Sequence, residues 1–201
     1  VKILQLPGKV NNAYSDFSPF QLNKDTLIFA SIRSDSVITI KYNSEESHPV
    51  KLYQSVLEGE EWSEPGELKS LNHPYDQTAN GVYSADRKSF YFTRCRPNIH
   101  LDQICAIYVS ELKEGRWSKP KKLNKKINQK GYSSTQPTLG VMIKTVKRQK
   151  VKYPVLYYSS NKPKGKGGFD IWYSAVDKEG KFGKSVNCGT RVNSIGNVIT
   201  P

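Results

Sequence analysis

The stretch Glu58-Gly59-Glu60-Glu61-Trp62-Ser63-Glu64-Pro65 returns as Glu114-Gly115-Arg116-Trp117-Ser118-Lys119-Pro120. A weaker third copy reads Glu179-Gly180-Lys181-Phe182-Gly183-Lys184-Ser185. A glycine turn followed by an aromatic, a small residue and proline marks a hairpin leading into an outer strand. Each turn follows a strand-like run, at 52–56, 107–112 and 171–176. Further back lies a second β-rich run, at 26–31, 89–94 and 155–160. A further marker precedes that run. Asn11 leads to Ser18-Pro19, Asn72 to Asn80, and Asn128 to Gln136-Pro137, while Asn193 leads to Thr200-Pro201.

The chain thus reads as a tandem repeat of four antiparallel strands, with a period of about 60 residues where a propeller blade usually takes about 40–45. The units are expected at about 7–68, 69–123 and 124–188, with 1–6 and 189–201 belonging to neighbouring units. The excess length is assigned to loops. The basic segment 141–152 is expected to be irregular, replacing the tight turn Ser84-Ala85-Asp86-Arg87-Lys88. No sustained 3.6-residue period competes. Runs that are apolar on nearly every residue need cover on both faces. Radial stacking of like sheets provides it, so an all-β propeller is the expected fold, with a β-sandwich as the alternative. Three blades are too few to close a ring, which takes about 4–8. Further blades, or another chain, are therefore expected.

Composition agrees. The chain has 12 Tyr and 7 Phe but 1 Met, a balance that favours strands. No apolar run approaches the ~20 residues of a membrane-spanning helix. The net charge is +13, which raises the prior for an anionic partner. Basic residues cluster at Lys119, Lys121, Lys122, Lys125, Lys126 and Lys130, at Lys144, Lys147, Arg148, Lys150 and Lys152, and at Lys162, Lys164 and Lys166. Lys121, Lys122, Lys125, Lys126, Lys147, Arg148 and Lys150 are the candidates for an interaction surface. Solvated loops and edge strands are the plainer explanation.

Three stretches resemble the TolB-like, Pro-Asp repeat propellers of OmpA-family envelope proteins in Bacteroidetes. They are Tyr14-Ser15-Asp16-Phe17-Ser18-Pro19, the run from Ser84 to Phe92, and the run from Ser159 through Gly-rich 165–168 to Trp172. Arg87 stands where that family usually has Gly. The resemblance implies a periplasmic, outer-membrane-associated scaffold or protein-interaction module, with a type IX secretion system component as the expected setting. Other envelope or secretion-system proteins would be its partners. Peptidoglycan would be reached only through a domain that this sequence lacks. The alternative function is a glycan- or peptide-binding propeller. Nucleic acid is the least favoured partner, since charge alone argues for it.

Cys95 and Cys105 flank the hairpin loop of the second unit. A register that faces them also pairs Thr93 with Ile107 and Tyr91 with Val109, so a cross-strand disulfide is expected, with free thiols as the alternative. It would imply an oxidising compartment. Cys188 is left over. Trp62, Trp117, Phe182, Trp172, Pro19 and Pro137 are assigned to blade architecture. Asp170 is assigned to accepting backbone N–H groups in a turn. The segment 162–168 resembles a phosphate cradle but lacks the Gly-Lys-Ser/Thr ending, and is read as a turn. His48, His73 and His100 sit in polar loops, and no nucleophile elbow occurs. No enzyme activity, metal or cofactor is expected.

Overall fold

The computed structural model describes residues 5–33, 38–40, 45–47, 49–177 and 179–201. His48 and most of 1–6, the stretch expected to belong to a neighbouring unit, lie outside them. Among the described residues every regular element is a strand, and the strands form antiparallel sheets. The chain divides into two compact units, Val1–Asn80 and Gly81–Pro201.

The first unit holds a sheet of β1 (Asp16–Asn23), β2 (Thr26–Ser31), β5 (Lys51–Glu58), β6 (Glu61–Trp62) and β7 (Gly66–Glu67), ordered β1-β2-β5 with β6 and β7 both on β5. A small hairpin, β3 (Ile38–Ile40) with β4 (Glu45–Ser47), is inserted before β5. The side chains of β1 alternate in exposure, whereas β2 is buried on both faces, as its unbroken apolar run requires.

The second sheet is β8 (Gln77–Tyr83), β9 (Ser89–Pro97), β10 (Gln103–Lys113), β11 (Arg116–Trp117) and β12 (Lys121–Lys122). The third is β13 (Ser134–Val146), β14 (Gln149–Ser160), β15 (Asp170–Ala175) and β16 (Val186–Asn187). The unit boundary falls within β8. Inside the second unit these two sheets pack together. Ile107 and Tyr91 of the second sheet share a core with Leu156, Tyr158 and Trp172 of the third, joined by Ile127 and Phe182. Each such large side chain contributes roughly 1.5–3 kcal/mol when buried.

The sequence markers now have physical roles. Gly59, Gly115 and Gly180 have φ of 65°, 75° and 76°, left-handed values that favour glycine. Behind each turn a serine or glycine ties the outer strand back. Ser63 N–H donates to Val56 O (2.8 Å) and Ser63 Oγ accepts from Val56 N–H (3.0 Å). Ser118 repeats both bonds with Glu111. Gly183 keeps only the backbone bond, to Ala175 O (2.9 Å), which makes the third copy weaker in sequence and in bonding alike. Ser18, Asn80 and Gln136, each next to Pro19, Gly81 or Pro137, have φ near 51°. Register shifts at 17/20 and 135/138 show that this marker is a β-bulge in the first strand of a unit.

The asparagines clip strands. Asn72, Asn128 and Asn193 each accept from the N–H and donate to the C=O of one residue in the third strand of their unit. The residues held are Leu52, Ile107 and Ile171, at 2.8–3.0 Å. A side-chain amide here replaces one rung of a missing neighbouring strand.

One expectation fails. The segment 141–152 is not an irregular loop. It is a regular hairpin in which Val141 pairs with Pro154, Ile143 with Lys152 and Val146 with Gln149. Lys147 and Arg148 form the two-residue turn, both left-handed, with φ of 46° and 65°.

Candidate functional site

The three sheets carry one recurring arrangement that the sequence reading missed. A cross-strand aromatic pair lies under a cation. In the first sheet Phe29 pairs with Tyr53, and the Arg33 guanidinium lies 5.0 Å and 5.9 Å from their ring centroids. In the second Phe92 pairs with Tyr108, and Arg94 lies 5.6 Å and 4.8 Å away. In the third Tyr158 pairs with Trp172, and Lys162 Nζ lies 4.8 Å and 4.2 Å away. The sequence signal is partial: Arg33 and Lys162 each stand four residues after the aromatic of the second strand, whereas Arg94 stands two after Phe92. Ring faces attract cations, by up to about 2 kcal/mol when desolvated. Arg33 also meets Asp16, at 2.8 Å. Lys162 is buried and donates to Tyr158 Oη. Burial pushes its ammonium down to about 8 and the Tyr158 hydroxyl up.

In the second sheet the arrangement opens into a cavity of about 300 Å³. Arg94, Arg96, Lys122, Tyr108, Asn98 and Ile104 are among its lining residues. Arg96 donates to Tyr108 Oη at 3.2 Å. Cationic and hydroxyl donors beside an apolar wall suit a carboxylate or other anionic group.

Beside the cavity, Cys95 and Cys105 are joined in a disulfide. The register across it is Cys95↔Cys105, Thr93↔Ile107 and Tyr91↔Val109. Cys188 is a free, half-buried thiol that burial pushes up.

Asp170 begins β15 and is buried. Its carboxylate accepts from Lys166 N–H, from Gly167 N–H (3.2 Å) and from Asn187 Nδ2 (2.9 Å). The N–H groups that a phosphate would need are therefore occupied. Gly167 and Gly168 lie so close to Gly196 O and Asn197 Oδ1 that a Cβ on either would collide. The segment is a closed turn.

The aromatic markers serve the core. Trp62 packs against Val10, Leu27, Phe29 and Tyr53. Trp117 lies 5.6 Å and 6.1 Å from the rings of Tyr83 and Phe90. Phe182 meets Tyr91 edge-on at 6.0 Å, between the second and third sheets. The basic candidates fall on separate elements. Lys121 and Lys122 form β12 on the edge of the second sheet. Lys125 and Lys126 lie in the turn that follows, where Lys126 Nζ donates to Phe182 O at 3.4 Å. Lys147, Arg148 and Lys150 lie at the tip of the β13–β14 hairpin.

His73 Nδ1 accepts from the N–H groups of Tyr75 and Asp76, at 3.3 Å and 3.1 Å, a turn-forming role. Among the described residues no group of three or more His, Cys, Asp or Glu is placed to hold a metal ion. No family model, no curated protein and no solved structure matches this chain.

Proposed function

We propose that the chain is a segment of a TolB-like β-propeller. Its role would be a non-enzymatic scaffold of the cell envelope, periplasmic and associated with the outer membrane. The observation that carries this reading is the packing of the second sheet on the third through equivalent strands, with Phe182 between them. Repeated Asn clips, serine ties and bulges support it, because they belong to one unit copied along the chain. The disulfide fits an oxidising compartment. The motif resemblance extends to PorE of the type IX secretion system, which makes other secretion subunits the proposed partners. That step rests on family analogy. Affinity capture from a Bacteroidetes envelope extract tests it. Secretion subunits in the eluate support the scaffold, whereas a retained soluble glycan or peptide in their place refutes it.

The cavity favours a second reading, a propeller that binds an anionic glycan or a peptide carboxylate. Arg94, Arg96 and Lys122 would supply the charge and Ile104 and Pro97 an apolar wall. Arg96→Ala should then weaken capture of such a ligand, measured by calorimetry.

A further inference from the structure

The β13–β14 hairpin runs well past the rest of its sheet. The third strand leaves it where Val176 N–H donates to Pro154 O, at 2.9 Å. From there to the turn, Gln149–Tyr153 of β14 pairs only with β13 among the described residues. At about 3.3 Å per residue, the turn stands roughly 20 Å from Val141. This arm holds Lys144, Lys147, Arg148, Lys150 and Lys152 and has no acidic residue. Among the described residues none of these five enters an ion pair. Val141, Ile143 and Val146 are 58%, 57% and 43% exposed. Ile143 faces Lys152, Lys144 faces Val151 and Thr145 faces Lys150, so each face of the ribbon sets a cation beside an apolar or hydroxyl group.

We propose that this arm is a docking site for an acidic, extended polypeptide segment, which adds as a strand along the free edge of β14. Three features select that occupant. The edge presents ladder N–H and C=O groups, which a polypeptide can pair and which a lipid or a nucleic acid cannot use as a ladder. The alternation of Lys150, Val151, Lys152 and Tyr153 complements a strand alternating acidic and apolar residues. The five cations repel a second copy of the arm, so the edge is closed to self-association yet open to an acidic strand. The site belongs to the third sheet alone and stands whether or not the sheets belong to a closed ring.

The test is binding of labelled acetyl-(Glu-Val)4-amide to the whole chain, read by fluorescence anisotropy at about 0.1 M salt. The same peptide N-methylated at all eight of its residues has the same charge but no backbone N–H donors for a ladder. The expected result is that (Glu-Val)4 binds at least ~10-fold tighter than its N-methylated form. K150E/K152E should weaken it at least ~10-fold with the thermal midpoint unchanged. Amide shifts on adding (Glu-Val)4 should centre on 144–152, a readout that needs no variant. Absence of peptide binding, equal binding of the two peptides, or shifts centred elsewhere would overturn the proposal. So would tighter binding to phosphatidylglycerol vesicles or to a thymidine oligonucleotide than to (Glu-Val)4.

Discussion

Asn128 holds Ile107 by both its N–H and its C=O, 21 residues away in sequence. Removing that carboxamide leaves two buried backbone groups unpaired, at about 1–3 kcal/mol each. Asn128→Ala should therefore destabilise the second unit by about 2–4 kcal/mol in urea titration. Asn11→Ala, which removes a single bond to Leu6 O, should cost under about 1.5 kcal/mol. The marker was legible as a recurring Asn. Its role was not, because its partner lies on a strand some 20 residues distant. Arg87 has φ of 57° in the turn closed by Asp86. Arg87→Gly should stabilise by up to ~1 kcal/mol, since the left-handed backbone is strained for arginine. Lys162 gives a pH prediction. Burial sets its folded pKa at about 8, against 10.5 for the free side chain. Between those values the unfolded chain holds a proton that the folded chain has lost, so this group makes stability rise with pH from about 8 towards 10.5. Below about 8 both states are protonated and its penalty is constant. Denaturation across pH 7–10 should show that rise in the native chain relative to Lys162→Met. Parallel curves for the two would contradict the assignment.

At the scale of elements, the hairpin β9–β10 was the most legible. Two cysteines and the period-2 alternation fix one register, and the paired residues follow from it. The bridge closes a short loop, with a sequence separation of 10, so its reduction should lower stability by about 2–3 kcal/mol. Chemical denaturation with and without reductant checks this, and Cys95→Ser/Cys105→Ser should be insensitive to reductant. The β13–β14 arm was hidden for a physical reason. Two-residue turns of this kind normally announce themselves with Asn-Gly or Asp-Gly, and here Lys147-Arg148 takes the left-handed backbone without either. Five cations also mask the strand alternation of Val141, Ile143 and Val151. The cation over each aromatic pair was missed because the pair forms only across two strands, and because the offset of four shared by Arg33 and Lys162 is not kept by Arg94.

At the scale of the molecule, the repeat was readable because the glycine turn and the Asn marker recur in all three repeats, with the serine tie in the first two. Stacking of like sheets was expected from the sequence, but not which side chains make it, because Ile107 of the second sheet and Trp172 of the third meet only in the folded chain. The rings of Tyr91 and Phe182 report on that packing from the second and third sheets, with centroids 6.0 Å apart. Tyr157 and Tyr173, also 6.0 Å apart, lie within the third sheet and serve as an internal control. A nuclear Overhauser spectrum of the whole chain, with aromatic side chains selectively labelled, measures both. Stacked sheets predict ring cross-peaks for both pairs. Cross-peaks for Tyr157 with Tyr173, and none for Tyr91 with Phe182, would show that the sheets form without stacking and would contradict it.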